Sequence, residues 1–222
     1  LSIITDYLIT SVKLLEIALL VEVYTSLSFI NIKRNMEHFY HEIQGWFDFE
    51  DLYSEAVTAA ADDSNFIEIG SWKGMSSAYM AVEIVNSHKN INFYCVDTWR
   101  GSKEHQDFNE VQKDELYNTF LSNMHRVDTR YQAIREKSID AAQKTEDGFF
   151  DFIFLDASHE YEDVLADLEN WYPKLKDGGT FAGHDYLPSW SGVVLAVNVF
   201  AAKKNLKVIT ASKSCFKLVN IK

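Results

Sequence analysis

The feature that most constrains this chain is an alternation. Five short apolar runs recur: "NFIEIG" (65–70), "INFYCVD" (91–97), "YQAI" (131–134), "FFDFIFLD" (149–156) and "GTFAG" (179–183). Longer stretches of helical period separate them. Apolar strands joined by helices require a mostly parallel sheet whose two faces are both covered. The tail "KVITASKSCFKLVNI" carries two more strand-like runs about a short polar turn and predicts a terminal antiparallel hairpin. The expected class is therefore α/β: a Rossmann-like, mostly parallel sheet with helices on both faces and a C-terminal antiparallel hairpin.

The helical stretches are "GMSSAYMAVEIVNS", "DFNEVQKDELYNTFLSNM", "SIDAAQKT", the segment from Tyr161 to Tyr172, and "WSGVVLAVNVFAAKK". Ser138 is the expected N-cap of the third. Pro173 stops the fourth. The fifth is apolar almost all round and reads as a buried helix.

A length of 222 residues suits one domain of this class. It is assigned to residues 36–222. Residues 1–35 form a separate amphipathic segment with apolar residues at Ile4, Leu8, Val12, Leu15, Leu19 and Val23. Asp6, Lys13, Glu16 and Glu22 interrupt it too often for a membrane span, and a signal peptide's basic start is missing. Two readings stay open: a helix that docks or pairs two copies into a homo-oligomer, or translation starting at Met36.

Net charge narrows the partners. A formal charge of −12 argues against nucleic acid and gives no support to an anionic membrane. Cys95 and Cys215 each lie in an apolar run, too few for a disulfide framework or a zinc site. Both read as reduced core residues of a cytoplasmic protein.

Ligands of parallel sheets sit at the carboxyl ends of the strands, beside the topological switch point. Four strand ends here carry chemistry. The first enters "EIGSWKG" (68–74), where Gly70 and Gly74 allow a tight turn and a ligand near a helix N-terminus. The dinucleotide fingerprint would need glycines where Trp72 and Met75 stand. The second strand ends at Asp97, a carboxylate able to accept both hydroxyls of a ribose, or else to cap the next turn. The fourth ends at Asp156, with His159 three residues on, and the fifth runs into His184 and Asp185. Two carboxylates and an imidazole at one edge can hold a divalent cation. The alternative is that Asp185 caps a turn while His184 packs.

The order E-x-G-x-x-x-G, an acid after the second strand, "FDFIFLDASHEYEDVLADLENWYPKLKDGGTFAGHDY" and a terminal hairpin resembles the class I S-adenosylmethionine-dependent methyltransferases. Within them it is most similar to small O-methyltransferases acting on sugar and macrolide-sugar hydroxyls. The resemblance covers residues 36–222. It implies S-adenosyl-L-methionine as cofactor, with Glu68, Gly70, Ser71 and Gly74 shaping its methionine end. Asp97 would hold the ribose, and Asp156 would border the same site. It further implies His159 as general base, and Asp156, His184 and Asp185 as ligands of magnesium or another divalent cation. Metal-dependent relatives carry an acid or amide where this chain has His184 or its neighbour, and imidazole suits transition metals better than magnesium.

The acceptor implied is a small molecule or saccharide. Trp46, Phe47 and Trp99 are candidates for stacking on it or closing over the cofactor, against a reading of ordinary packing. Tyr186 and Trp190 are weaker candidates. Two other functions stay open: an NAD-dependent oxidoreductase, which Asp97 and the sheet would permit, and a cofactor-binding or assembly module without catalysis.

Overall fold

A computed structural model describes residues 35–221, so nearly all of the expected N-terminal amphipathic segment lies outside the described residues. Strands β1 (Asn65–Ile69), β2 (Asn92–Asp97), β3 (Gln132–Arg135), β4 (Phe150–Leu155) and β5 (Leu175–Gly183) run parallel. Strands β6 (Leu206–Ala211) and β7 (Cys215–Asn220) form the expected hairpin, and β7 pairs antiparallel with β5. The order is β3-β2-β1-β4-β5-β7-β6, which puts the switch point between β1 and β4.

Helices are α1 (Glu50–Ala59), α2 (Met75–Ser87), α3 (Asn109–Gln112), α4 (Leu116–Met124), α5 (Ser138–Lys144), α6 (Tyr161–Trp171) and α7 (Ser191–Lys204). Side chains alternate across a strand, and both faces of β1 are buried: Phe66 faces one core and Ile67 and Ile69 the other. Leu52 and Val57 of α1, Met80 and Ile84 of α2 and Phe120 of α4 cover the first face. Ala142 of α5, Leu168 and Trp171 of α6 and Val197 and Phe200 of α7 cover the second. Cys95 and Cys215 are free and buried. Among the described residues, no helix is long and apolar enough to cross a membrane.

Four details differ from the sequence reading. Helix α7, apolar almost all round, is buried on one face only, with Leu195 55% and Val199 39% exposed on the other. Strand β5 begins at Leu175, because a register shift between the Phe150 and Phe152 pairs lets the chain join the sheet before the glycines. The long helical stretch 107–124 divides into α3 and α4, with Asp114 left-handed between them at φ 54°. Ser138 is the first helical residue of α5 rather than its N-cap, which is Lys137. Its hydroxyl instead donates to Asp167 Oδ1 and accepts from Trp171 Nε1 at 2.7 Å.

Asp167 is 5% exposed, and burial raises its pKa to about 6 against the bond from Ser138. A carboxyl raised in the folded state favours folding while protonated. Its penalty grows as pH climbs from its ordinary value of about 3.8 and is complete above about 6. Asp167→Asn keeps an acceptor for Ser138 and cannot ionise. It is expected to raise stability at pH 8 by up to about 3 kcal/mol, with little gain at pH 4, in denaturant melts at the two pH values.

Candidate active site

The turn after β1 is built on a buried carboxylate. Glu68 is 1% exposed and accepts hydrogen bonds from Tyr53 Oη at 2.8 Å, Ser76 Oγ at 2.6 Å and Ser77 Oγ. Burial raises its pKa, opposed by these hydroxyls. Glu68 therefore lies beneath the site rather than in it: it fastens the first turn of α2 and the body of α1 under the glycine turn. Glu68→Ala would leave three buried hydroxyls without their acceptor, and should cost about 3–5 kcal/mol in a chemical melt.

Above it, Gly70 turns at φ +90°, and a Cβ there would stand 2.0 Å from the Asp156 carbonyl oxygen. Only glycine lets β1 and β4 release their chains this close together. Gly74 is the left-handed N-cap of α2. Ser71 is 2% exposed, with its backbone N–H given to Asp97.

Asp97 closes this turn from the neighbouring strand. Its Oδ2 accepts the backbone N–H of Ser71 at 3.0 Å and of Trp72 at 2.9 Å, and its Oδ1 accepts that of Trp99 at 2.7 Å. Burial raises its pKa against those three bonds. It thus does cap a turn, and it also lines a cavity; a carboxylate has about four acceptor positions, so capping and ligand binding are compatible.

That cavity, about 580 Å³, opens at the carboxyl ends of β1, β2 and β4. Gly70, Asp97, Glu136, Ser138, Asp156 and Ser158 are among its walls. A second cavity of about 610 Å³ adjoins it and shares Gly70, Trp72, His105, Asp156 and Ala157. Its far side is aromatic and charged: Trp46, Phe47, Asp48, Phe108, His159, His184, Asp185 and Trp190.

His159 sits on the loop between β4 and α6. Its Nε2 lies 2.8 Å from Asp185 Oδ2, and its ring stacks on Trp190 with centroids 3.8 Å apart. Gly192, in the first turn of α7, lets that helix close on the loop: a Cβ there would be 2.3 Å from the His159 carbonyl oxygen. Asp185 is left-handed at φ 57°. Burial would raise its pKa, but His159 and His184 outweigh that and hold it well below the carboxylate range.

His184 is 9% exposed. Its Nδ1 lies 3.3 Å from both Asp156 Oδ1 and Asp185 Oδ2, and its Nε2 3.2 Å from Asp48 Oδ1. Burial lowers its pKa, yet Asp156 and Asp185 together raise it to about 11. The ligand atoms of Asp156, His184 and Asp185 lie within 4.8 Å of one another, so this donor set fits one divalent cation.

The aromatics divide. Trp46 is 57% exposed at the second cavity and stacks with His105, which in turn lies against Trp72. Phe47 lines that cavity while packing on Phe49 and Tyr79. Trp99, expected as a stacking candidate, is fully buried: it packs on Tyr117 and Phe120 and donates its Nε1 to the Trp72 carbonyl at 2.8 Å. An indole whose one donor finds a backbone acceptor is stable in a core. Tyr186 bonds Asn198 at 3.0 Å and packs on Phe216, away from both cavities.

Residues 67–186, more than half the chain, match the model of a methyltransferase domain family. The chain belongs to that methyltransferase family. The chain is 29% identical over 157 residues to the uncharacterized protein R132 of Acanthamoeba polyphaga mimivirus, covering 69% of this chain and 66% of that one. It is 25% identical over 156 residues to the uncharacterized protein y4gI of Sinorhizobium fredii (strain NBRC 101917 / NGR234), covering 70% of this chain and 17% of that one. The chain thus spans less than two thirds of either relative's length. Among solved structures it is similar to the O-methyltransferase NovP, with a TM-score of 0.60, 16% identity and coverage of 78% and 79% of the two chains. It is also similar to an O-methyltransferase from Bacillus cereus in complex with SAH, with a TM-score of 0.52, 17% identity and coverage of 77% and 78%. The chain therefore shares the fold of these O-methyltransferases.

Four residues around the site escaped the sequence reading. Tyr53 and Ser214 stand far along the chain from the groups they bind, Glu68 and Asp48. Asp48 sits within an aromatic run that reads as packing, and nothing in "PSWSGVV" signals that Gly192 faces His159.

Proposed function

We propose that this domain transfers the methyl group of S-adenosylmethionine to a hydroxyl of a small-molecule acceptor, with a saccharide as the favoured class. The observation that carries the reading is a pair of cavities meeting at Gly70 and Asp156, with His159 and Asp185 on one side only. The donor's adenosine belongs in the first cavity, its ribose hydroxyls on Asp97 and its sulfonium near Asp156. Acidic walls favour a cationic donor. The acceptor belongs in the second cavity, where Trp46 and Trp190 offer flat apolar faces to a sugar ring.

In the reaction the acceptor oxygen attacks the methyl carbon and the carbon–sulfur bond breaks. Its electron pair stays on sulfur, leaving neutral S-adenosylhomocysteine. The cofactor supplies the activated methyl, and the protein must align the oxygen and remove its proton. His159 takes that proton, and Asp185 at 2.8 Å orients the imidazole and stabilises its cationic form. A divalent cation held by Asp156, His184 and Asp185 would lower the acceptor's pKa when bound.

Calorimetric titration with S-adenosylhomocysteine, repeated with NAD, tests the donor. Binding of the first alone supports the proposal, and binding of NAD alone overturns it. Asp97→Ala is expected to weaken S-adenosylhomocysteine binding by ~1.5–3 kcal/mol, since a charged acceptor is lost. Unchanged affinity in that variant would remove Asp97 from the ribose site.

A further inference from the structure

The environment of His184 carries an inference beyond the identity of the methyl donor. Asp48 Oδ1 lies 3.2 Å from Nε2, and the Ser214 hydroxyl donates to that same oxygen at 3.0 Å. Phe49 packs on the imidazole with centroids 4.8 Å apart, which limits its rotation. Nε2 is therefore placed to be the N–H that donates to Asp48. Nδ1 is left facing the carboxylate oxygens of Asp156 and Asp185, each at 3.3 Å. Between two anionic oxygens that nitrogen holds a proton, and a divalent cation bound by the two carboxylates would take the proton's place on Nδ1. A carboxylate on the far nitrogen is the usual outer partner of a metal-bound histidine, since it fixes the tautomer and raises the ligand's basicity.

We propose that His184 Nδ1, Asp156 and Asp185 form a mixed nitrogen–oxygen site selective for a transition-metal ion over magnesium, with Asp48 as the outer carboxylate that sets His184 in its ligating tautomer. The inference deepens the cation part of the proposed function and rests on it for any catalytic consequence. Imidazole favours later first-row metals, whereas magnesium prefers oxygen and gives up its water reluctantly. His184 is thus the residue that decides which ion the site takes. Asp48 precedes α1 and lines the acceptor cavity, so metal loading and the acceptor wall are joined through one side chain.

The test uses the full chain stripped of metal, with cobalt(II) alone as probe and magnesium as competitor. One cobalt per chain is expected, bound at least ~100-fold more tightly than magnesium, as the affinity order of divalent ions for nitrogen-containing sites implies. Proton NMR of the cobalt form should show an exchangeable, strongly shifted ring N–H, the Nε2 proton held by Asp48. That signal should vanish in His184→Asp, whose preference for cobalt over magnesium should fall by at least ~10-fold. Asp48→Asn should weaken cobalt binding ~10–100-fold, as loss of an outer-shell partner does. Equal affinity for the two ions, no shifted N–H, or an unchanged preference in His184→Asp would each overturn the proposal. Thermal melts check that both variants fold, and His184→Asp stands as the test if Asp48→Asn does not. S-adenosylhomocysteine binding by the same metal-free protein separates the two readings. Donor binding without cobalt selectivity sinks this inference alone, and cobalt selectivity without donor binding sinks the methyltransferase mechanism while leaving the metal site standing.

Discussion

Gly70→Ala is expected to abolish S-adenosylhomocysteine binding and to destabilise the domain by more than about 4 kcal/mol, the range reserved for severe backbone conflict. Two costs combine. The residue turns at φ +90°, where a side chain strains the backbone by roughly 1–2 kcal/mol. The larger one is contact: the new Cβ would meet the Asp156 carbonyl oxygen at 2.0 Å and the Ala157 Cα at 2.7 Å. Both are backbone atoms at the end of a central strand, so neither can step aside without moving Asp156. Gly178→Ala is the matched control. Its φ is +81°, but nothing lies within 4 Å of the added carbon. It should lose only about 1–2 kcal/mol and bind the donor normally. Calorimetry and thermal melts on the two variants decide the matter. Normal donor affinity in folded Gly70→Ala would take this turn out of the binding site.

His159→Ala is expected to lower kcat by 10²–10⁴-fold, roughly the contribution of a positioned general base, while S-adenosylhomocysteine affinity stays at the wild-type level. The imidazole lines the second cavity and not the first, so a donor bound in the first should not register its loss. Product S-adenosylhomocysteine, measured over a panel of hydroxylated acceptors, gives the turnover. Asp185→Asn should also lower kcat, because it weakens the orientation of His159 and removes a carboxylate from the proposed cation site. If donor affinity and turnover fall together in His159→Ala, the ring's role is structural: a plate on Trp190 that supports the loop closed by Gly192.

Much of the architecture was legible because local chemistry and global fold agree. Apolar runs of four to eight residues read here as buried strands, and the helical stretches between them point to parallel connections. The strand-end rule then placed Gly70, Asp97, Asp156, His159, His184 and Asp185 along a single edge. The boundaries of β5 and the break between α3 and α4 were not legible. A bulge and one left-handed aspartate cost little locally, and tertiary pairing selects them.

The side-chain partnerships were decided only in three dimensions. Asp97 reads from sequence as either a turn cap or a ligand acceptor; the fold gives it three backbone N–H groups and a cavity wall at once. Trp99 and Trp46 are alike as letters, yet one is sealed in the core by its bond to the Trp72 carbonyl and the other stands open at the second cavity. Asp48 reaches His184 across 136 positions of sequence. The sequence by itself determined a mostly parallel sheet, its terminal hairpin and the strand-end edge where the polar residues gather, because periodicity and turn residues act over a few neighbours; the strand order, and with it the switch point between β1 and β4, came from the fold. Which carboxylate holds which imidazole was left to the tertiary structure, because hydrogen bonds and charge pairs act over 3 Å of space and are blind to separation along the chain.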